Sequence, residues 1–163
     1  MEMNNVLQVV GISEMFVSSN LQDRIVTYSL GSCVGVSVFD PVAKVGGIVH
    51  CMLPLSKVDP QKAKDKPYMF TDSGVSALLQ AVFDLGASRQ NLIVKVAGAA
   101  SLLDQKGFFK IGERNYTVLR KVLWKNNILI ESEDVKGNSS RTLTLYMDTG
   151  MTTVKSAGVE VEL

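Results

Sequence analysis

TYSLGSCVGVSVFDPVAKVGGIVHCMLP spans Thr27–Pro54. Its centre alternates without a break. Val34, Val36 and Val38 fall on one side of an extended chain, and Cys33, Gly35, Ser37 and Phe39 on the other. A period of two is the mark of a β-strand. Asp40-Pro41 then signals a turn, because proline fixes φ and an aspartate can hydrogen-bond its neighbouring backbone. Lys44–Leu53 reads as the returning strand, with Gly46-Gly47 a candidate bulge. The segment is therefore a hairpin. It carries the chain's one histidine, His50, and both cysteines, Cys33 and Cys51.

Working outward, Val6–Val10 and Glu14–Ser18 read as short extended segments, and Arg24–Leu30 as a strand that turns at Gly31-Ser32-Cys33. Leu55–Tyr68 is polar and proline-containing, which predicts an exposed, mobile loop. Asp72 or Ser73 is placed to cap a helix in which Val75, Leu78, Leu79 and Val82 recur at helical spacing and which Gly86 ends. Asn91–Ala97 reads as a buried strand and Gly98–Gly112 as irregular. Glu113–Asn126 reads as a second helix with Val118, Leu119, Val122 and Leu123 on one face. Ile128–Val135 and Arg141–Met147 read as strands, and the tail Gly158–Leu163 alternates. Many strands, two clear helices and no regular βαβ alternation predict an α+β fold with mixed sheets, as one domain over residues 1–163.

Charge narrows the function. Seventeen basic and sixteen acidic residues leave a formal net charge of +1, which supplies no field for nucleic acid or an anionic membrane. The basic run Lys57–Lys66 also contains Asp59 and Asp65 and reads as a solvated loop. No stretch reaches the ~20 apolar residues of a membrane helix, and the N-terminus lacks the basic flank of a signal peptide. The expectation is a cytoplasmic protein with both thiols reduced. Three Cys and His residues fall short of the four ligands of a structural zinc. Val96–Leu103, VAGAASLL, lacks the lysine and hydroxyl residue of a phosphate-binding loop and reads instead as close backbone packing. No metal or cofactor is expected.

The hairpin suggests chemistry. With Phe39 across from Lys44, a four-residue loop puts Cys33 directly opposite His50, where Cβ atoms stand about 4.5–5.5 Å apart. A bulge at Gly46-Gly47 would shift that register by one. Cys51 follows His50 and so points to the other face, as a small core hydrophobe, which argues against a Cys33–Cys51 disulfide. A thiol beside an imidazole can become a nucleophilic thiolate, and a third group normally orients the ring. Thr27, on the preceding strand, is the candidate orienter. On spacing alone, a histidine satisfied within the core fits better than a catalytic one.

The same stretch resembles the signature of the CheD family of chemoreceptor glutamine deamidases. Further matches follow in family order: FTDSGV (Phe70–Val75), VAGAASLL, IGERN (Ile111–Asn115), EDVKGNSSR (Glu133–Arg141) and DTG (Asp148–Gly150). The resemblance runs from about Val10 to Val154. It implies Cys33 as nucleophile, His50 as general base and Thr27 as the residue that orients the histidine. It implies hydrolysis of glutamine side chains on the cytoplasmic helices of chemoreceptors to glutamate, with glutamate methyl esters as a further substrate of some members. CheC-type phosphatases are implied as partners. The implied fold is a layered α/β/β domain similar to the cysteine hydrolase domain of cytotoxic necrotizing factors. Phe70 stands where the family commonly has tyrosine, and Ser29, Ala99 and Lys136 where it commonly has glycine.

Overall fold

The structure, a computed structural model, describes residues 5–101 and 110–163. The strands are β1 (Val6–Val9), β2 (Met15–Ser18), β3 (Asp23–Leu30), β4 (Val34–Asp40) and β5 (Val45–Cys51), then β6 (Ile93–Gly98), β7 (Ile130–Val135), β8 (Arg141–Tyr146), β9 (Thr152–Ser156) and β10 (Val159–Glu162). The helices are α1 (Pro60–Asp65), α2 (Thr71–Asp84) and α3 (Ile111–Lys125). Residues 102–109 of the stretch read as irregular lie outside the described residues.

Two five-stranded sheets result, ordered β1-β3-β8-β9-β10 and β2-β5-β4-β6-β7. Each is mixed: β1 runs parallel to β3, and β6 parallel to β7. The architecture is α+β with two mixed sheets. The alternation of β4 sorts the layers. Val34, Val36 and Val38 join Val75, Leu78, Leu79 and Val82 of α2 and Leu119 and Leu123 of α3 in one apolar cluster. Phe39 joins Ile25, Leu143, Leu145 and Val154 of the other sheet in a second cluster. One face of the β4 sheet is thus covered by helices and the other by a sheet. That is why all seven β4 residues are buried, where a half-solvated strand would bury every second one. Each fully buried aliphatic side chain contributes about 1.5–3 kcal/mol toward this packing.

The hairpin register differs from the sequence expectation. Asp40 pairs with Val45 and Gly35 with His50, without interruption at Gly46-Gly47. Asp40 belongs to the strand because its carboxylate organises the turn beyond it. Oδ1 accepts from the backbone N–H of Val42 (2.8 Å) and Ala43 (2.9 Å), and Oδ2 accepts from Ser88 N–H (2.7 Å). Lys44 closes the loop in the left-handed region (φ 59°). Both ends of the loop thereby move one residue along the chain. Pairing slips by two in total, and every side chain keeps its expected face.

The Leu55–Tyr68 segment is exposed but is not a plain loop. It contains 3-10 turns at Ser56–Val58 and Pro67–Met69, with α1 between them, and Asp59 caps α1 by accepting from Lys62 N–H (3.0 Å). Its ends are pinned. Met52 and Leu53 N–H donate to Met69 C=O (2.8 and 3.0 Å). Ser56 donates through N–H (3.0 Å) and Oγ (2.8 Å) to Asp72. That engagement corrects the capping expectation: α2 begins after Phe70, which makes no side-chain cap, because Asp72 is committed to holding the loop.

Candidate active site

β3 delivers Thr27 and then breaks. Thr27 pairs with Leu143, but Leu30 pairs with Arg141, so Tyr28-Ser29 forms a bulge against β8. Ser29 takes φ 58° there. The bulge returns Leu30 to the interlayer face and bends the chain into the Gly31-Ser32-Cys33 turn. Ser29, Ala99 (φ 54°) and Lys136 (φ 71°) all occupy the left-handed region. The three positions at which the resemblance leads one to expect glycine therefore keep a glycine-like backbone, at a strain of about 1–2 kcal/mol each.

The turn is held from behind by backbone. Ala99 N–H donates to Cys33 C=O (2.8 Å) and Ala100 N–H to Gly31 C=O (2.9 Å). A Cβ on Gly98, which has φ 110°, would lie 2.3 Å from the Cys33 carbonyl oxygen. The alanine-glycine stretch is thus a backing strand for Cys33. Arg141, 7% exposed, fixes that strand in turn: Nη1 donates to Gly98 C=O (3.1 Å), and Nη2 donates to Lys136 C=O (2.6 Å) and pairs with Asp134 (3.3 Å).

His50 is fully buried on β5, opposite Gly35, on the face that meets the other sheet. The absence of a side chain at Gly35 leaves room there; a Cβ would stand 2.7 Å from Leu30. Thr27 Oγ1 lies 2.7 Å from His50 Nδ1 and donates to Val10 C=O at 2.7 Å. A hydroxyl has one proton. Given to Val10, it obliges Oγ1 to accept from the ring, so Nδ1 carries the hydrogen and Nε2 holds the lone pair. Nε2 is buried with no hydrogen-bond partner among the described residues. A buried acceptor left open costs stability. Here it is a base with nothing else to bind.

Cys33 is part-exposed, two positions before Gly35, and packs against the interlayer cluster. Cys51 is buried in the helix-side cluster. The two thiols are free and on opposite faces. Cys33 is not placed directly across from His50; Gly35 is, because of the register above. Cys33 packs against the interlayer cluster, and His50 turns toward the same layer through its contact with Thr27. Burial pushes the His50 pKa down to about 4. Burial also raises the Cys33 thiol, which its own backbone N–H partly offsets. Both groups are neutral at rest, which differs from a preformed thiolate–imidazolium pair. Burial, then the nearby Cys33 and Asp72, raises the Cys51 thiol and keeps it protonated.

One residue escaped the sequence reading. Asn115 of α3 is fully buried, and its Nδ2 donates to Ser32 C=O (2.9 Å) and Met52 C=O (3.1 Å). It lies in phase with Leu119 and Leu123, so a polar residue on an apolar helix face was the available signal.

A two-sheet α+β fold with a one-tautomer histidine and a part-exposed thiol at its interlayer side carries the residue types of nucleophilic catalysis. The comparisons narrow that class. Residues 52–156 match the family model described as CheD chemotactic sensory transduction. A relative from Syntrophus aciditrophicus, named probable chemoreceptor glutamine deamidase CheD 1, is 50% identical over 92% of this chain and 94% of its own. One from Solibacter usitatus, named probable chemoreceptor glutamine deamidase CheD, is 43% identical over 95% and 92%. This chain belongs to the CheD family. A solved structure, that of the Bacillus licheniformis hypothetical protein YfiH, overlaps at TM-score 0.47 with 15% identity over 82% of this chain and 60% of that one.

Proposed function

We propose that the protein is a chemoreceptor glutamine deamidase in which Cys33, His50 and Thr27 form the catalytic set. The observation that carries the reading is the Thr27–His50 contact, which reserves the unpartnered Nε2 for a proton. Cys33 Sγ attacks the side-chain amide carbon of a substrate glutamine as its proton passes to Nε2. The tetrahedral intermediate collapses, His50 returns that proton to the departing nitrogen, and ammonia leaves behind a Cys33 thioester. Water, deprotonated by the same Nε2, cleaves the thioester to give glutamate and the free thiol. Thr27 keeps the ring in the productive tautomer throughout. A neutral hydroxyl stabilises imidazolium less than a carboxylate would, which fits a base that is neutral at rest.

The substrate in this reading is the helical cytoplasmic region of a chemoreceptor, which places the protein in the cytoplasm. Among the described residues no helix is long and apolar enough to cross a membrane. A CheC-type phosphatase enters as the regulatory partner that the resemblance implies, and co-elution of the two purified proteins tests it. The enzymatic reading is tested by incubating the chain with receptor cytoplasmic fragments. Ammonia and a gain of about 1 Da per modified glutamine are expected with the wild type and neither with Cys33→Ala. Turnover that survives Cys33→Ala would overturn the reading.

A further inference from the structure

Beyond Val34, which pairs with Cys51, β4 and β5 stop bonding to each other. Continued pairing would set Ser32 against Leu53. Leu53 N–H goes instead to Met69 C=O, and Leu53 C=O accepts from Thr71 N–H (2.7 Å). The ladder opens at Cys33 itself. The carbonyls of Ser32 and Met52, just beyond the facing ends of β4 and β5, are bridged by the two hydrogens of the Asn115 amide. Asn115 Oδ1 accepts from Thr71 Oγ1 (3.1 Å), and Thr71 is itself fully buried. Thr71 Oγ1 also lies 3.1 Å from Leu53 C=O, so it is the two carbonyls facing Nδ2, which accept and cannot donate, that fix the end of the amide facing the strands.

Resting on the deamidase reading, we infer that Asn115 is a positioning residue that holds this hairpin end open and so keeps the Ser32-Cys33 turn shaped to receive an oxyanion. Two observations support it. The bridged groups are both carbonyls, so the turn's amide hydrogens are not consumed in making the bridge. Burial raises the Cys33 thiol and its own backbone N–H draws it back down, so that donor lies beside the thiol. The wedge also ties the nucleophile turn to α2 through Thr71 and to the Met52–Leu53 end of β5, so one side chain sets the spacing of three elements. A purely apolar residue at 115, in step with Leu119 and Leu123, would pack as well but would leave two strand carbonyls without donors.

The test is a steady-state comparison of wild type, Asn115→Ala and Leu119→Ala on receptor cytoplasmic fragments, at temperatures where each is fully folded by circular dichroism. Leu119 is equally buried one helical turn along and has no side-chain donor to offer a carbonyl, so it reports the loss of helix packing alone. Loss of a preorganised oxyanion donor lowers kcat about 10²–10³-fold. Asn115→Ala is expected to lose kcat by about 10²-fold with KM within about threefold, and Leu119→Ala to keep kcat within about threefold. Equal kcat losses in the two variants, or an Asn115→Ala effect confined to KM, would overturn the inference while leaving the deamidase reading intact. A wild type with no turnover would overturn both.

Discussion

Replacing Thr27 by valine keeps the shape of the side chain and removes its oxygen. Two buried contacts set the cost. Oγ1 is the acceptor for His50 Nδ1–H and the donor to Val10 C=O, both at 2.7 Å and both inside the protein. Each buried polar group left alone costs about 1–3 kcal/mol. The variant should therefore lose about 2–6 kcal/mol of stability if neither group finds a new partner, less if the ring proton relocates. Relocation is the informative outcome. With no acceptor at Nδ1, the hydrogen moves to Nε2, and the base becomes a donor. Restoring the reactive tautomer then costs the same ~1–3 kcal/mol, so kcat falls about 5- to 150-fold. Thr27→Ser, which retains the oxygen, should remain within about threefold. Imidazole nitrogen NMR on labelled protein reads the tautomer directly, and deamidation of receptor fragments reads kcat. A Thr27→Val protein whose Nε2 stays unprotonated and whose kcat stays within about twofold of wild type would refute the reasoning.

Burial of His50 makes stability depend on pH. With a pKa of about 4 in the folded state and about 6.5 unfolded, its neutral form stabilises the fold fully above about pH 6.5. That contribution drains away as pH falls toward about 4, at up to about 1.4 kcal/mol per unit and about 3 kcal/mol in all. Urea midpoints between about pH 4 and 7 should show this slope in wild type and lose it in His50→Gln; parallel curves would count against it. The acid limb of kcat/KM should likewise lie near pH 4 rather than 6.5. Gly98→Ala should abolish turnover, because its Cβ meets the Cys33 carbonyl in a backbone conformation closed to alanine; unchanged activity would contradict the backing role of that strand. Gly74→Ala places a Cβ 2.6 Å from Cys51 Sγ and should destabilise by about 1–3 kcal/mol, with partial rescue by Cys51→Ala in a double-mutant thermal melt.

The sequence disclosed faces better than registers. Strict alternation in β4, carried across the hairpin to β5, assigned each side chain to a layer, and that assignment survives a pairing error of two because the period is two. The register itself depended on whether Asp40 ends the strand or starts the loop. Its bonds to Val42, Ala43 and Ser88 decide the matter, and Ser88 is distant in sequence. The short helices between Leu55 and Phe70 were hidden for a related reason. They bury almost nothing of their own, so no apolar periodicity marks them, and their ends are fixed by Asp72 and Met69. Thr27, His50 and Cys33 stood out through rarity and resemblance, whereas the proton bookkeeping at Thr27 required Val10, on a different part of the chain. Asn115 was legible only as an anomaly in a helical pattern. Its partners, Ser32 and Met52, are brought to it by tertiary structure alone.

The central claim is that a sulfur, activated by the open nitrogen of His50, becomes covalently joined to the substrate. Rapid acid quenching during turnover on a glutamine-bearing receptor peptide, followed by intact and peptide mass spectrometry of the protein, tests it most directly. An adduct equal to the peptide less one ammonia is expected, mapped to Cys33 and absent from Cys33→Ser and from Cys51. An adduct at Cys51, or turnover in Cys33→Ser at the wild-type rate, would contradict it.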